Sequence, residues 1–220
     1  MLFDIDGTLI RRAGPHHREA LVEAIRRTAH VETTTDGVPV AGMLDRDILT
    51  SMMLSAGMSR AAIRRAMPEV VARAQSIYVR RAPDISKKVC PGVRSLLRRL
   101  TARGVAIGLV TGNLSRIGWR KMERAGLRRY FRFGAFAEMA HDRAGLVRVA
   151  IRRARREGWI GRESAITLIG DHPNDVLAAK ANRIRSVAVG TGIVSLEELQ
   201  SHSPVIAVPD LRRLKLDDLL

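Results

Sequence analysis

Residues 92–113 read GVRSLLRRLTARGVAIGLVTGN. The first part, 92–104, repeats Val and Leu at helical spacing and stops at Gly104. The second, VAIGLVTGN (105–113), is an apolar strand that runs into a glycine turn. A helix handing over to an apolar strand is the repeating unit of a parallel sheet covered on both faces.

The alternation continues downstream. SRIGWRKMERAGL (115–127) reads as a helix whose Lys121 is expected on the surface, RFGAFA (132–137) as a short strand, and DRAGLVRVAIRRARREG (142–158) as a helix. SAITLIGD (164–171) is a buried strand ending in an acid, followed by a helix over NDVLAAKAN (174–182) and a strand over RSVAVGTG (185–192). Upstream, MLFDIDGTLI opens with a strand around Leu2, Phe3 and Ile5. Between Leu9 and Asp84 there is no strong strand signal. That segment carries helical patterns at 17–29, at 45–57 with Asp45 as N-cap and Gly57 as terminator, and from Arg60 through Tyr78 with a break near Pro68. Its Met52 and Met53 read as core filler. The expected fold is α/β, a Rossmann-like parallel sheet core over 1–10 and 85–220 with an inserted helical unit over 11–84.

A chain of 220 residues, 46% hydrophobic, is long enough to bury a substantial core. Its longest apolar stretch, around GVAIGLV (104–110), is too short to span a bilayer, and MLFDIDGTLI lacks the layout of a secretory signal, so the cytoplasm is the expected location. Cys90 is the only cysteine, which excludes an intrachain disulfide and a cysteine-built zinc site. The net charge of +16 raises nucleic acid as a partner. Against that, only five of the 38 basic residues are lysine, the arginines fall at polar positions of successive helices, and aromatics make up 4%. Dispersed charge of this kind is a solvated surface, with few platforms on which bases could stack.

The chemistry gathers at strand ends. Asp4 and Asp6 alternate along the first strand, so both side chains can face one small volume, with Gly7 permitting a sharp exit and Thr8 adding a hydroxyl. A calcium loop does not fit, because the position of its bidentate Glu holds Pro15. Thr111, Gly112 and Asn113 end a second strand, and Asp171 with Asp175 follow a third. In an open parallel sheet these carboxyl ends converge on the ligand site.

FDIDGTL, LVTGN and LIGDHPND, in that order and each at a strand end, resemble the first, second and fourth motifs of the haloacid-dehalogenase-like hydrolase superfamily. The helical segment sits where members of the phosphoglycolate phosphatase and β-phosphoglucomutase type carry a cap. The resemblance implies a phosphatase acting on a small phosphorylated metabolite, with Asp4 as nucleophile and Asp6 as general acid and base. It implies Thr111, Gly112 and Asn113 at the phosphoryl oxygens, and Mg²⁺ held by Asp4, the Asp6 carbonyl and Asp171, with Asp175 beside or behind it. The third motif departs from the pattern: no Lys lies between Lys121 and Lys180. Arg143, at a helix start, is the expected substitute, with His141 and Asp142 as weaker candidates in the same loop. In the cap, His16 at the hinge and Arg46 behind the Gly42 loop are expected at the substrate. A phosphomutase is the alternative within this chemistry, and a basic nucleic-acid-binding protein on the same fold the alternative outside it. Only Met1, Leu2 and Phe3 precede Asp4, so either the first strand is short or the true start lies upstream.

Overall fold

The computed structural model describes residues 1–11 and 14–219; Arg12 and Ala13, inside the expected helical segment, and Leu220 lie outside the described residues. Six strands form one sheet: β1 (Leu2–Phe3), β2 (Gly108–Val110), β3 (Phe133–Ala135), β4 (Thr167–Gly170), β5 (Arg185–Val189) and β6 (Ile206–Val208). Their order is β3-β2-β1-β4-β5-β6 and every pairing is parallel. β1 is central, with Leu2 opposite Gly108 on one side and Leu168 on the other. The α/β Rossmann-like class is therefore as expected, although β1 to β5 are each shorter than the apolar run that announced them.

Side-chain alternation divides the sheet between two cores. Leu2, Val110, Ala135 and Leu168 face helices α6 (Arg143–Arg156) and α7 (Pro173–Ala181) through Leu146, Val147, Ala150 and Ala178. Phe3, Leu109, Ile169 and Val187 face the opposite way, onto α4 (Val93–Ala102) through Val93, Leu96, Leu97 and Leu100. Period-two packing of this kind fixes strand register, because a slip of one residue would turn each set to the wrong core. The chain ends with α8 (Leu196–Ser201) and β6, neither of which the sequence announces: six and three residues are too short to display a period.

Three helices lie between β1 and β2: α1 (His16–Ala29), α2 (Asp45–Ser55) and α3 (Arg60–Arg81). α1 buries Ala20, Leu21, Ala24 and Ile25, and α2 buries Ile48, Leu49, Met52 and Met53, in the same core as the β2 and β3 face. Two expectations need correction here. α3 does not break at Pro68 but runs through it. Pro68 and Arg64, whose carbonyl loses its helical donor, are both exposed, so that carbonyl is open to solvent while Ile63, Met67, Val70 and Ala74 hold the buried face. Asp45 is not the N-cap of α2. Leu44 occupies that position, and Asp45 is the first helical residue, 2% exposed, with its carboxylate turned inward.

Candidate active site

The first acid is positioned by the strand itself: the Asp4 N–H donates to the Ile169 carbonyl at 3.0 Å, which extends the β1–β4 ladder by one residue. The chain then turns sharply, with Leu9 and Ile10 both donating back to the Ile5 carbonyl. Gly7 makes the turn at φ 86°, and a Cβ there would collide with the Asp171 carboxylate. The turn thus needs glycine twice over, for its backbone angle and for the acid it brushes against. Gly7→Ala is accordingly expected to displace Asp171, costing most of the metal affinity as well as stability; an unaltered metal titration would show that the close approach is not required. Thr8, next along, donates to Asp171 Oδ1 at 2.8 Å.

Asp4, Asp171 and Asp175 form one buried group, with one oxygen from each within 4.8 Å of the others. Arg143, the first residue of α6, enters it: Nη1 lies 2.6 Å from Asp175 Oδ1 and 3.3 Å from Asp4 Oδ1. One guanidinium does not balance three buried carboxylates. Burial foremost raises the Asp4 pKa to about 6, against the pull of Arg143, with Asp175 and Asp6 adding to the rise. Burial, then the charges of Asp4 and Asp175, raise Asp171 to about 8, and burial raises Asp175 against the pull of Arg143. A group short of positive charge, made of hard oxygen donors, suits a divalent cation such as Mg²⁺. Asp6 adds no carboxylate to it, so its place as a metal ligand rests on its main-chain carbonyl alone. Asp175 also caps its own helix, accepting from the His172 N–H at 3.2 Å.

The second acid has a separate partner. Asp6 accepts from Lys121 Nζ at 2.6 and 2.8 Å and from Asn113 Nδ2 at 2.8 Å. Lys121, on α5 (Ser115–Arg124), was expected on the surface and is instead 1% exposed. It donates as well to Asn113 Oδ1 at 2.6 Å and lies 3.2 Å from His17 Nδ1. Burial presses the Asp6 pKa upward, but Lys121, with His17 and Asn113, overcomes it and the net shift is down. The two carboxylates that the sequence places side by side are thereby driven apart: Asp4 holds a proton more readily than usual, Asp6 less. If Lys121 is replaced by Met, burial acts on Asp6 against only His17 and Asn113, and its pKa rises. The limb of the pH–rate profile that Asp6 sets should then move to higher pH, and a profile unchanged by Lys121→Met would detach Asp6 from it.

Thr111 is fully buried, and its Oγ1 accepts from Asn113 Nδ2 at 2.8 Å, so Thr111, Asn113, Asp6 and Lys121 form one hydrogen-bonded string. The Gly112 carbonyl accepts from the Asp45 N–H, and Asp45 Oδ2 accepts from the Leu114 N–H and lies 3.0 Å from His17 Nε2. The start of α2 is thus bonded on both sides of Asn113. The Gly42 loop meets α7, its carbonyl accepting from Asn174 Nδ2 at 2.9 Å.

Residues 1–182 match the profile of the haloacid dehalogenase-like hydrolase family. The chain belongs to that family. Among its curated relatives is a phosphoglycolate phosphatase of Pseudomonas fluorescens (strain Pf0-1), 26% identical over 97% of this chain and 77% of the relative. Among solved structures, a β-phosphoglucomutase from Clostridium difficile superposes with a TM-score of 0.70 at 19% identity, over 98% of this chain and 92% of that one. A predicted phosphoglycolate phosphatase from Haemophilus somnus gives 0.66 at 15%, over 96% and 93%. At these identities the structural likeness concerns the fold.

Set against the family motifs, the structure brings together Asp4, Asp171, Asp175 and Arg143 in one group, and Asp6, Thr111 and Asn113 in an adjoining one. It does not bring in His16, whose Nδ1 is buried without a partner, or Arg46, whose charge is felt at Asp47 together with that of His141. Asp142 caps α6, accepting from the Gly145 N–H at 2.5 Å. Two residues that the sequence reading passed over do enter: Lys121 and His17. Both stood on apolar stripes, Lys121 with Ile117 and Met122, His17 with Ala20, Leu21 and Ala24. A charged or polar side chain on the buried stripe of a helix was the available signal.

Proposed function

We propose that the protein is a Mg²⁺-dependent phosphatase that hydrolyses a small phosphorylated metabolite through an aspartyl-phosphate, with helices α1 to α3, within 11–84, serving as its cap. The observation that carries this reading is the pair of neighbouring acids held in opposite environments, Asp4 among carboxylates and Arg143, Asp6 on Lys121. An Asp4 oxygen attacks phosphorus, the bond from phosphorus to the leaving oxygen breaks, and that oxygen takes the proton that Asp6 carries into the step, leaving Asp6 ionised on Lys121 at 2.6 Å. Asp6, ionised again, removes a proton from water as the water attacks phosphorus and releases Asp4. Arg143 Nε is buried without an acceptor, and a phosphoryl oxygen would provide one; Thr111 and the backbone at Gly112 and Asn113 stand ready to hold the others. Mg²⁺ on Asp4, Asp171 and the Asp6 carbonyl, with Asp175 alongside, would offset the repulsion between carboxylates and phosphate. The names of the curated relatives make phosphoglycolate the first compound to try.

The test is release of phosphate from p-nitrophenyl phosphate with and without Mg²⁺, followed by a panel containing phosphoglycolate and β-glucose 1-phosphate. Absence of Mg²⁺-stimulated turnover on every compound would overturn the reading, and interconversion of sugar phosphates without phosphate release would establish the mutase alternative. No helix among the described residues is long and apolar enough to cross a membrane, and the expected partner is a soluble small molecule.

The crowded carboxylates also give a pH signature. Asp4 and Asp171, with pKa values of about 6 and about 8, keep protons in the folded protein that the unfolded chain releases near the ordinary aspartate value of 3.8. The folded state therefore binds more protons between these limits, so metal-free stability should fall as pH rises from about 4 to about 8. Metal requires the ionised forms, so Mg²⁺ affinity should rise over the same range with release of protons. Melting temperatures in EDTA and in Mg²⁺ across that range check both signs; parallel curves would contradict the cluster's role.

A further inference from the structure

At the end of the sheet away from the acids, the amino ends of β4 and β5 and the later turns of α6 border a half-open cavity of about 550 Å³. Six arginines line it: Arg148, Arg152, Arg155, Arg162, Arg183 and Arg185. Its apolar floor includes Ile151, Ile166 and Ile184. Arg152 lies nine residues along α6 from Arg143, about 14 Å at the rise of a helix, so this is not an extension of the catalytic cleft.

Some arginines elsewhere on the surface are answered by a carboxylate, as Arg26 and Arg27 are by Glu23, Arg73 by Glu69 and Arg212 by Asp210. Here they are not. Arg148 lies 3.9 Å from Asp142, but among the described residues no carboxylate pairs with the other five. Arg155 and Arg185 find only backbone carbonyls, of Arg162 and Asp218. The carboxyl-terminal ends of α6 and α7 favour nearby cations through their dipoles, which accounts for a basic residue at each end but not for six around one hollow. Arg183, moreover, is held at φ 54°, a backbone angle that residues with a Cβ rarely adopt.

We propose that this cavity is a second binding site, for a small anion carrying two or more contiguous phosphates. Planar guanidinium forks match phosphate oxygens in pairs, and several converging forks demand several adjacent negative charges. The volume is that of a small-ligand site, and the lining offers no aromatic ring on which the bases of a nucleic acid would stack.

Inorganic triphosphate, titrated calorimetrically into the metal-free protein, is the direct test. The triple variant Arg152→Ser, Arg155→Ser, Arg183→Ser should weaken binding at least tenfold. Arg60→Ser, Arg64→Ser, Arg65→Ser on the exposed face of α3 removes the same charge and should change it less than threefold. Phosphatase activity on p-nitrophenyl phosphate should be retained in both variants, which separates this site from the catalytic one. Equal weakening by the two triples, or no triphosphate binding by the unmodified protein, overturns the proposal. Citrate binding as tightly as triphosphate overturns the phosphate assignment, and a single-stranded oligonucleotide displaced by the pocket substitutions where triphosphate fails to bind replaces it with nucleic acid. Should the triple variant not fold, Arg152→Ser and Arg183→Ser singly should each weaken binding about threefold, and no change in either overturns the proposal.

Discussion

Asp4→Asn is expected to reduce turnover on the order of ten-thousandfold or more, because the amide cannot form the bond to phosphorus and no neighbouring group can replace it. The same substitution should not cost stability. Asp4 is one of three carboxylates packed within 4.8 Å, and its burial raises its own pKa while its charge raises that of Asp171. Removing that charge relieves the group, so in metal-free buffer the melting temperature of Asp4→Asn should equal or exceed that of the unaltered protein at neutral pH. Mg²⁺ should stabilise the variant less, since one ligand is gone. Turnover within tenfold of normal would refute the nucleophile assignment, and a large drop in metal-free melting temperature would refute the electrostatic account.

Arg143→Ala should lose on the order of a hundredfold or more in turnover and, unlike Asp4→Asn, should also destabilise the fold. Arg143 is 8% exposed and bridges Asp4 and Asp175, and its own pKa is raised because those two charges outweigh its burial. Breaking a buried pair by deleting one partner typically costs about 3–5 kcal/mol, because the surviving charge stays buried without compensation. Asp175 can escape part of that by taking up a proton, so the loss should be largest at high pH. Arg143→Lys should recover part of both losses, since it restores the charge without the fork. Arg148→Ala, on the same helix but more than half exposed, is the control. If Arg143→Ala proves as harmless as Arg148→Ala, the basic residue facing the nucleophile is another, and Lys121 is next to test.

The pair of predictions rests on residues that the sequence exposes and on others that it conceals. Asp4, Thr111 and Asp171 were legible because apolar runs ending in a polar residue mark the carboxyl edge of a parallel sheet, and those edges converge whatever the intervening loops do. Arg143 was legible from its place at a helix start. Lys121 was not, because a lysine in SRIGWRKMER looks like its basic neighbours until the helix phase is counted; only then does it fall with Ile117 and Met122 on the buried side. His17 was missed in favour of His16 for the same reason, one residue of helix phase being 100° of direction. Pro68 misled in the other direction. It is a helix breaker by local chemistry, but the apolar stripe of α3 continues on both sides of it, and packing prevailed over the one missing hydrogen bond.

The central place of β1 has a consequence for how the chain is made. Leu2 and Phe3 find their partners at Gly108 and Leu109 and then at Leu168 and Ile169, so the segment holding Asp4 leaves the ribosome long before either neighbour exists. At ordinary rates of synthesis the wait for β4 is on the order of ten seconds or more. During that time the helices over 16–81 can pair among themselves, but an apolar segment that belongs in the middle of the sheet has nowhere to go. Asp4 is therefore translated early and assembled late. A nascent chain stalled before Thr167 should carry α1 to α6 and still be unable to form the cluster around Asp4, because the fourth strand and the two acids that follow it, Asp171 and Asp175, are yet to be translated.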